Sequence, residues 1–137
     1  MIENNTIYNN SWAGIEMDGA GEEINFPVMN NTIRYNVIYG TGIITWFYCQ
    51  YNNKFIKNDF VGIRGKDIEW EKVIIKITSD NFKIIKNYYE GNYWNTWHYK
   101  LPKPIDAEWI IRMFGRDILK FNGYIFDTHP SLQPNYS

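Results

Sequence analysis

Acidic residues occupy alternate positions in one short segment, and they are the first candidates for chemistry. These residues are Asp67, Glu69 and Glu71. Alternate side chains of an extended strand point to the same face, so the three carboxylates would form a row opposite Ile68 and Trp70. Neighbouring carboxylates would lie about 6.6 to 7 Å apart, which suits the acid and base of an inverting glycosidase, and the row could instead bind a calcium ion. The sequence favours a third interpretation, a solvated strand face balanced by neighbouring lysines, because nothing in it indicates the burial that a perturbed carboxylate needs.

A cluster of aromatic residues forms the second candidate site. It consists of Tyr93, Trp94, Trp97, His98 and Tyr99, in a segment that also contains Asn and Thr. Flat rings cover the apolar faces of sugars while amides bind hydroxyl groups, so this composition is typical of a carbohydrate-binding platform. The structural alternative is that the rings pack against the rest of the protein, with Trp94 closing the end of the core.

Composition and motifs argue against several other functions. Lys and Arg number 14 against 15 Asp and Glu, so the chain lacks the basic surface expected of a nucleic-acid-binding protein. The single cysteine, Cys49, excludes an intrachain disulfide, and His98 and His129 do not form a recognisable metal-ligand set. The sequence has no nucleophile motif and no complete phosphate-binding glycine motif. We therefore predict no metal and no cofactor.

The elements that must position these residues are short β-strands arranged in repeats. A phrase built from Asn, apolar and Gly positions occurs four times in the 137-residue chain, at residues 5–15, 31–40, 53–63 and 82–91. The phrases alternate apolar with polar residues and are rich in β-branched and aromatic side chains, which favours strands over helices. Repeats at intervals of about 20 to 50 residues are typical of a solenoid.

A solenoid stacks each residue on its counterpart in the next coil, so the repeats predict ladders of similar side chains. Asn suits such a stack because its amide bonds to the amides above and below while its backbone tolerates a turn. The predicted Asn column comprises Asn10, Asn36, Asn58 and Asn87. The first inward apolar ladder comprises Ile7, Ile33, Phe55 and Ile84. The second apolar ladder comprises Trp12, Ile38, Phe60 and Tyr88.

These repeats resemble those of the right-handed parallel β-helix proteins with NosD-like, carbohydrate-binding and sugar-hydrolase type repeats. The resemblance extends to Gly91-Asn92-Tyr93-Trp94, which looks like the phrase that often follows the last coil in this family. Residues 101–105 and 126–130 look like the closing phrases of its surface-protein members.

The resemblance implies an all-β fold, a short solenoid in the form of a right-handed parallel β-helix. About four or five coils would occupy residues 1–91, with residues 92–137 as the C-terminal capping segment of the same domain. Lyases of this fold use acids close to a basic residue, and Asp59 with Arg64 come nearest to that arrangement in this sequence.

The capping segment shows a change of periodicity. Apolar residues between Asp106 and Lys120 recur at intervals of three and four. This pattern predicts a short amphipathic helix with Asp106 as its N-cap and with Gly115 interrupting or ending it. An irregular, extended cap is the alternative.

The presence of repeats and aromatic residues, without a convincing catalytic group, favours a non-catalytic binding or structural module that contacts polysaccharide. The alternative is a carbohydrate-active enzyme, a polysaccharide lyase or a glycoside hydrolase, that uses the row of three acids or Asp59 with Arg64. The resemblance implies an extracellular or cell-surface protein. Because no capping element precedes the first repeat, we expect the chain to be the C-terminal part of a longer precursor, which would explain the absence of a signal peptide.

The N-terminal coil has no recognisable cap. Residues 5–15 would expose strand edges and the end of the apolar stack, with Ile7 and Trp12 near the opening. Bare strand edges template pairing with another chain. We therefore expect the protein either to form a homo-oligomer through this coil or to be poorly soluble without upstream repeats.

Overall fold

The computed structural model describes residues 1–18, 28–46 and 50–135, and Cys49 lies outside them. The described residues form strands and turns, arranged as a β-solenoid of about three turns. The prediction of an all-β, parallel β-helix fold is therefore confirmed, whereas the four or five expected coils are too many. None of the described residues belongs to a helix long and apolar enough to cross a membrane.

Most of the described strands are two to four residues long, and the sequence places an Asn or a Gly within two residues after most of these short strands. In chain order the strands are β1 (Ile2–Glu3), β2 (Thr6–Ile7), β3 (Ile15–Asp18), β4 (Val28–Met29), β5 (Thr32–Arg34), β6 (Val37–Tyr39), β7 (Ile43–Trp46), β8 (Gln50–Tyr51), β9 (Lys54–Ile56), β10 (Asp59–Val61), β11 (Ile68–Glu69), β12 (Glu71–Ile77), β13 (Phe82–Ile85), β14 (Tyr88–Glu90), β15 (Tyr93–Trp94), β16 (Lys103–Met113) and β17 (Arg116–Asp127). The three long strands are β12, β16 and β17.

The short strands stack in parallel from coil to coil and enclose one core. One face contains β1, β5, β9 and β14, the second contains β2, β6, β10 and β15, and the third contains β3, β7 and β11. The rings of Phe55 and Tyr89 stack at 4.7 Å, and those of Phe60 and Trp94 stack at 4.4 Å. These distances are close to the spacing between strands, so the stacked pairs follow from the register and each adds about 0.5 to 1.5 kcal/mol beyond simple burial.

Each coil turns between its first two faces at a residue in the left-handed conformation. The equivalent residues are Asn4, Tyr35, Lys57 and Gly91, with φ of 60°, 57°, 53° and 67°. Asn and Gly adopt this conformation readily, whereas Tyr35 and Lys57 are held in it at a cost of about 1 kcal/mol or more each. An Asn follows each of these corner residues, and that Asn links its coil to the next.

The first Asn ladder consists of Asn5, Asn36, Asn58 and Asn92. At each step the backbone N–H and the side-chain amide of one Asn both donate to the Oδ1 of the Asn in the next coil, at 2.9 to 3.1 Å. The ladder ends at the buried carboxylate of Asp127, which accepts the backbone N–H and the amide of Asn92 at 2.9 and 3.0 Å. The same carboxylate also accepts the N–H groups of three further residues, which are Gly91, Trp94 and His129.

The second Asn ladder consists of Asn31, Asn53 and Asn87. Its members are joined in the same way, at 2.9 to 3.2 Å. It ends at the buried carboxylate of Glu71, whose Oε1 accepts the amide of Asn87 at 2.9 Å. Both ladders therefore run in the same direction along the solenoid, and each ends at a carboxylate, which accepts hydrogen bonds and has none to donate.

The predicted Asn column is right at Asn36 and Asn58 and wrong at its two ends. Asn10 is exposed, and the first ladder begins at Asn5 instead. Asn87 belongs to the second ladder. The reason is that an Asn-x-apolar unit occurs twice in a coil, five residues apart, so an alignment of short phrases slips easily by one unit.

The same slip affects the two apolar ladders. In the structure the first comprises Ile2, Ile33, Phe55 and Tyr89. The second comprises Ile7, Ile38, Phe60 and Trp94. The predicted members Trp12, Ile84 and Tyr88 are instead exposed at the surface.

The C-terminal cap contains a β-hairpin, and the predicted helix between Asp106 and Lys120 is wrong. Strands β16 and β17 pair antiparallel around a turn at Phe114 and Gly115, whose φ angles of 50° and 74° are both positive. Two successive positive φ angles are typical of a tight hairpin turn. Apolar residues occur on both faces of β16, so their spacing matches a helical pattern by coincidence. The hairpin pairs with β12 through β16 and reaches the coils at Asp127.

Because Asp127 accepts the hydrogen bonds at the end of the first ladder, we predict that Asp127→Asn strongly lowers the stability of the protein. The replacement is isosteric, but either orientation of the new amide directs N–H groups at N–H groups that now donate to the carboxylate. We expect the free energy of unfolding in urea at pH 7 to fall by about 2 to 4 kcal/mol. The control is Asp80→Asn, the same change at an exposed position, which should stay within about 0.5 kcal/mol of the wild type. If the two substitutions lowered the free energy of unfolding equally, the role of Asp127 as the acceptor at the end of the ladder would be wrong.

Candidate functional site

A cleft of about 420 Å³ lies where the third coil meets the C-terminal hairpin. Its lining residues are Lys66, Ile68, Trp70, Glu71, Lys72, Asp106, Ala107, Glu108, Asn122, Gly123 and Tyr124. A second compartment of about 310 Å³ shares four of these residues, namely Lys66, Ile68, Asp106 and Tyr124. The two compartments therefore form one elongated cleft.

Strands β12, β16 and β17 form the floor of the cleft. Their register places Lys72 beside Glu108 and Glu108 beside Asn122. It also places Asp106 beside Tyr124, two residues further along the hairpin. Paired residues in adjacent strands share a face of the sheet, so these polar side chains and the Tyr124 ring lie on the same side. Residues 65–70 of the third coil provide the opposite wall.

Two exposed aromatic rings border the cleft. Trp70 is 46% exposed and Tyr124 is 54% exposed. Trp70 connects β11 to β12 with a φ of 60°. A bulky side chain at positive φ costs on the order of 1 to 3 kcal/mol, and such strain is concentrated at functional sites. The left-handed turn directs the indole outward into the cleft.

Two ion pairs line the cleft, one between the coil wall and the hairpin and one between the adjacent floor strands β12 and β16. Lys66 meets Asp106 at 3.2 Å, and Lys72 meets Glu108 at the same distance. The side chains of Lys66 and Asp106 are more than half exposed. An exposed pair of this kind contributes at most about 1 kcal/mol, so a ligand can replace it at little cost.

The second compartment contains a more enclosed ion pair. Lys103 Nζ lies 3.8 Å from Asp67 Oδ2, and both side chains are less than one fifth exposed. The same ammonium lies over the rings of Trp94 and Trp97, at 5.6 and 5.7 Å from their centroids. Burial raises the pKa of Asp67 above its ordinary value, although the positive charge of Lys103 acts in the opposite direction.

The row of three acids does not form, because the strand is interrupted at Trp70. Asp67 lines the second compartment and Glu71 lines the first, whereas Glu69 lies in neither. Glu71 is buried beside the core, and its two oxygens accept the amide of Asn87 and the hydroxyl of Tyr89. The prediction that the three carboxylates share one face of a strand is therefore wrong.

Asp59 and Arg64 both lie outside the cleft. Asp59 is buried in β10, where its Oδ1 accepts the backbone N–H and the side-chain amide of Asn135, both at 2.9 Å. Arg64 is exposed, and its backbone N–H donates to the carbonyl oxygen of Gly40. The contact with Asn135 shows that Asp59 holds the C-terminal segment against the coils.

The predicted aromatic cluster is divided between the core and the surface. Trp94 is fully buried and lines the second compartment, in agreement with the packing alternative. Tyr93 and Trp97 are half-buried, and Trp97 meets the ring of Tyr99 edge-on at 4.9 Å. Tyr99 and His98 are exposed. Two rings of the cluster are thus open to solvent, outside the cleft.

Sequence reasoning missed the cleft residues of the hairpin, above all Asn122 and Tyr124. Because a helix was predicted for the start of this segment, no strand pairing was expected that would bring Asn122 and Tyr124 close to the third coil. The signal that could have placed them is the pair Phe114 and Gly115 between two long apolar segments. In the part of the chain that the structure describes, no group of three or more His, Cys, Asp or Glu residues could hold a metal ion.

The buried contact between Tyr89 and Glu71 predicts a loss of stability at alkaline pH. Burial first, and then the charge of Glu71 and the hydrogen bond to it, raise the pKa of Tyr89 well above its ordinary value. Above about pH 10 the unfolded chain releases the phenolic proton while the folded protein retains it, so the free energy of unfolding falls by about 1.4 kcal/mol per pH unit from this group.

Tyr89→Phe should remove this contribution while lowering stability at neutral pH, because a buried carboxylate loses its hydroxyl donor. Urea unfolding between pH 8 and about pH 11 measures both effects. Tyr8→Phe, at an exposed ring, is the matched control for the loss of one phenol. An unchanged slope in Tyr89→Phe would contradict the prediction.

Comparisons with known proteins give no further assignment, since no family model, no curated protein and no solved structure matches the chain. The observed β-solenoid of about three turns agrees with a parallel β-helix. No family match supports the resemblance of the repeats to the NosD-like group.

Proposed function

We propose that the protein is a non-catalytic binding module that holds a segment of polysaccharide in the elongated cleft. The observation that carries the proposal is the pair of exposed rings, Trp70 and Tyr124, on a cleft whose rim is otherwise polar. A sugar presents an apolar ring face and a border of hydroxyl groups. Aromatic side chains bind the first, and amide and charged groups bind the second.

The polar groups that would meet the hydroxyls lie on the cleft floor beside these rings. Asn122 offers an amide, and Glu108 and Lys72 form a half-buried ion pair next to it. The Lys66–Asp106 pair lies where the two compartments join, because both residues line both of them. A ligand with more than one sugar unit could therefore displace that pair and occupy both compartments.

The repeats support two further parts of this proposal. Their resemblance suggests a NosD-like or pectin lyase-like protein with carbohydrate-binding repeats. The same resemblance suggests a location at the cell surface or in the extracellular space.

Removing the two rings tests the proposal. Trp70→Asn removes the indole at a position where Asn tolerates the left-handed backbone, and Tyr124→Ala removes the phenol. A glycan array identifies a ligand for the wild type, and calorimetry then measures the affinity of each variant. We expect each substitution to weaken binding about fivefold or more, since a stacked ring contributes on the order of 1 kcal/mol or more.

Two other aromatic substitutions serve as controls. Tyr8→Ala removes an exposed ring from the first coil and should leave the affinity unchanged. Tyr99→Ala tests the aromatic cluster, because a loss there with full affinity in Tyr124→Ala would move the ligand site to that cluster. A wild type that binds no glycan would overturn the proposal.

One observation favours a second function, that of a glycoside hydrolase. Asp67 is enclosed in the second compartment, and burial raises its pKa. A carboxyl group whose pKa is raised above its ordinary value is a candidate general acid towards a glycosidic oxygen.

Release of reducing ends from a polysaccharide panel decides between the two functions. If the protein is a hydrolase, Asp67→Asn abolishes release without loss of folding, whereas Asp80→Asn, at an exposed position outside the cleft, retains it. If the protein is a binding module, neither the wild type nor the variants release any product.

A further inference from the structure

We propose that a second copy of this chain docks on one face of the C-terminal sheet, so that the protein is a two-fold symmetric dimer. The face belongs to the four adjacent strands β13, β12, β16 and β17. We call it the distal apolar face. Its residues are Ile75, Ile77, Phe82, Ile84, Ile111, Met113, Leu119 and Phe121. The proposal is independent of the function of the cleft.

The strand register places these side chains on one side of the sheet. Ile75 pairs with Ile84 of β13 and with Ile111 of β16, and Ile111 pairs with Leu119 of β17. Paired residues share a face, and so do residues two positions apart along a strand. The opposite side of the same strands carries charged residues, among them Lys76, Lys83, Glu108, Arg112 and Lys120.

The apolar side of the sheet is already buried where it meets the coils. Trp109 marks the border of this buried part, because its ring lies against Gly123, where an added Cβ would come within 2.7 Å of it. The residues that pack there into the solenoid core are Val73, Ile105, Ala107 and Ile125. Beyond Trp109 the side chains are open to solvent. The most exposed are Phe82, Leu119, Ile84 and Phe121, at 66%, 52%, 46% and 43%.

The face does not depend on the N-terminal part of the chain. The eight-stranded sheet runs from β1 through β5, β9 and β14 to β17, β16, β12 and β13. A further coil stacked on β1 would therefore lie at the opposite edge of the sheet and would leave the distal apolar face open.

The exposed area of the face matches what a dimer interface needs. A fully exposed large apolar side chain offers about 200 Å², so the exposed fractions of the eight residues amount to about 500 to 600 Å². Two copies packed face to face would bury about twice this area, whereas a specific protein interface needs at least about 1,000 Å². Contiguous apolar surface of this size marks an interaction site.

The chemistry of the face favours a second copy over a sugar. A polysaccharide needs amide or hydroxyl partners beside the aromatic rings, and the eight residues of the distal apolar face provide none. A two-fold related copy presents the same apolar side chains in return, so it leaves no polar side chain of the face unpaired. Two sheets packed in this way lie about 10 Å apart. Because Lys72, Glu108 and Asn122 point to the opposite side, the cleft stays open in the dimer.

Sedimentation equilibrium of the full chain between about 1 and 100 µM measures the association. Leu119→Glu and Ile84→Glu each place a charge at an exposed position of the face. A charge buried without a partner is costly, so we expect a wild-type dimer and, in each variant, a Kd raised at least about tenfold. Leu101→Glu is the matched control, because this leucine is 65% exposed and lies outside the face. Its Kd should equal that of the wild type, and circular dichroism verifies that all variants fold.

Isotope-filtered NMR of the wild type locates the contact without any substitution. A mixture of methyl-labelled and unlabelled copies should show nuclear Overhauser effects between the two copies at the methyl groups of Ile84 and Leu119. A dimer without these signals would overturn the proposal.

Three further results would also overturn it. The first is a wild type that stays monomeric up to about 100 µM. The second is a dimer that Trp12→Glu dissociates and both face variants retain, which would assign the association to the N-terminal coil. The third is a monomer that cosediments with phosphatidylcholine–phosphatidylglycerol vesicles and loses this binding in Leu119→Glu, which would assign the face to a lipid surface.

Discussion

The structure depends on one repeated interaction, the pair of hydrogen bonds that each ladder Asn donates to the Oδ1 of the next. Buried amides destabilise a core unless every polar group finds a partner. Here each ladder Asn donates to the Oδ1 of the next Asn, whose own amide then needs an acceptor in the following coil. A carboxylate, which only accepts hydrogen bonds, ends each series. The two carboxylates at the ends are therefore part of the same interaction. This requirement also explains why Tyr35 and Lys57 remain at positive φ, since the corner must present the following Asn to its neighbour.

The ladders also position the cleft. Glu71 ends one ladder and begins β12, which forms part of the cleft floor. Asp127 ends the other and is the last residue of β17, whose Tyr124 lies at the rim. Two strands of the floor are thus anchored by buried carboxylates, although the rings of Trp70 and Tyr124 beside them are exposed. Across the cleft, the Lys66–Asp106 pair is exposed enough to exchange with a ligand.

The repeats were sufficient to predict the fold class, because period, strand propensity and recurring Asn all indicate a solenoid. They were insufficient for the register, since two similar five-residue units in each coil allow a slip that places Asn87 in the wrong column. The hairpin was missed for a different reason. Residues on both faces of β16 are apolar where it lies between β12 and β17, so its pattern lacks strict alternation. The cleft could not be predicted without the hairpin, which supplies part of its floor. The row of acids was predicted for a continuous strand, and the left-handed backbone conformation of Trp70 interrupts that strand.

The spacing of the ladder residues has a consequence for how such a protein can change. Successive members of the first ladder are 31, 22, 34 and 35 residues apart. The stack thus fixes the corners and leaves the length of chain between them free. The excursion through β11, β12 and β13, which supplies one wall of the cleft, occupies one of these variable intervals. A segment of different sequence and length could connect the same two corners. Ligand recognition can therefore evolve by exchange of this segment while the scaffold keeps its sequence.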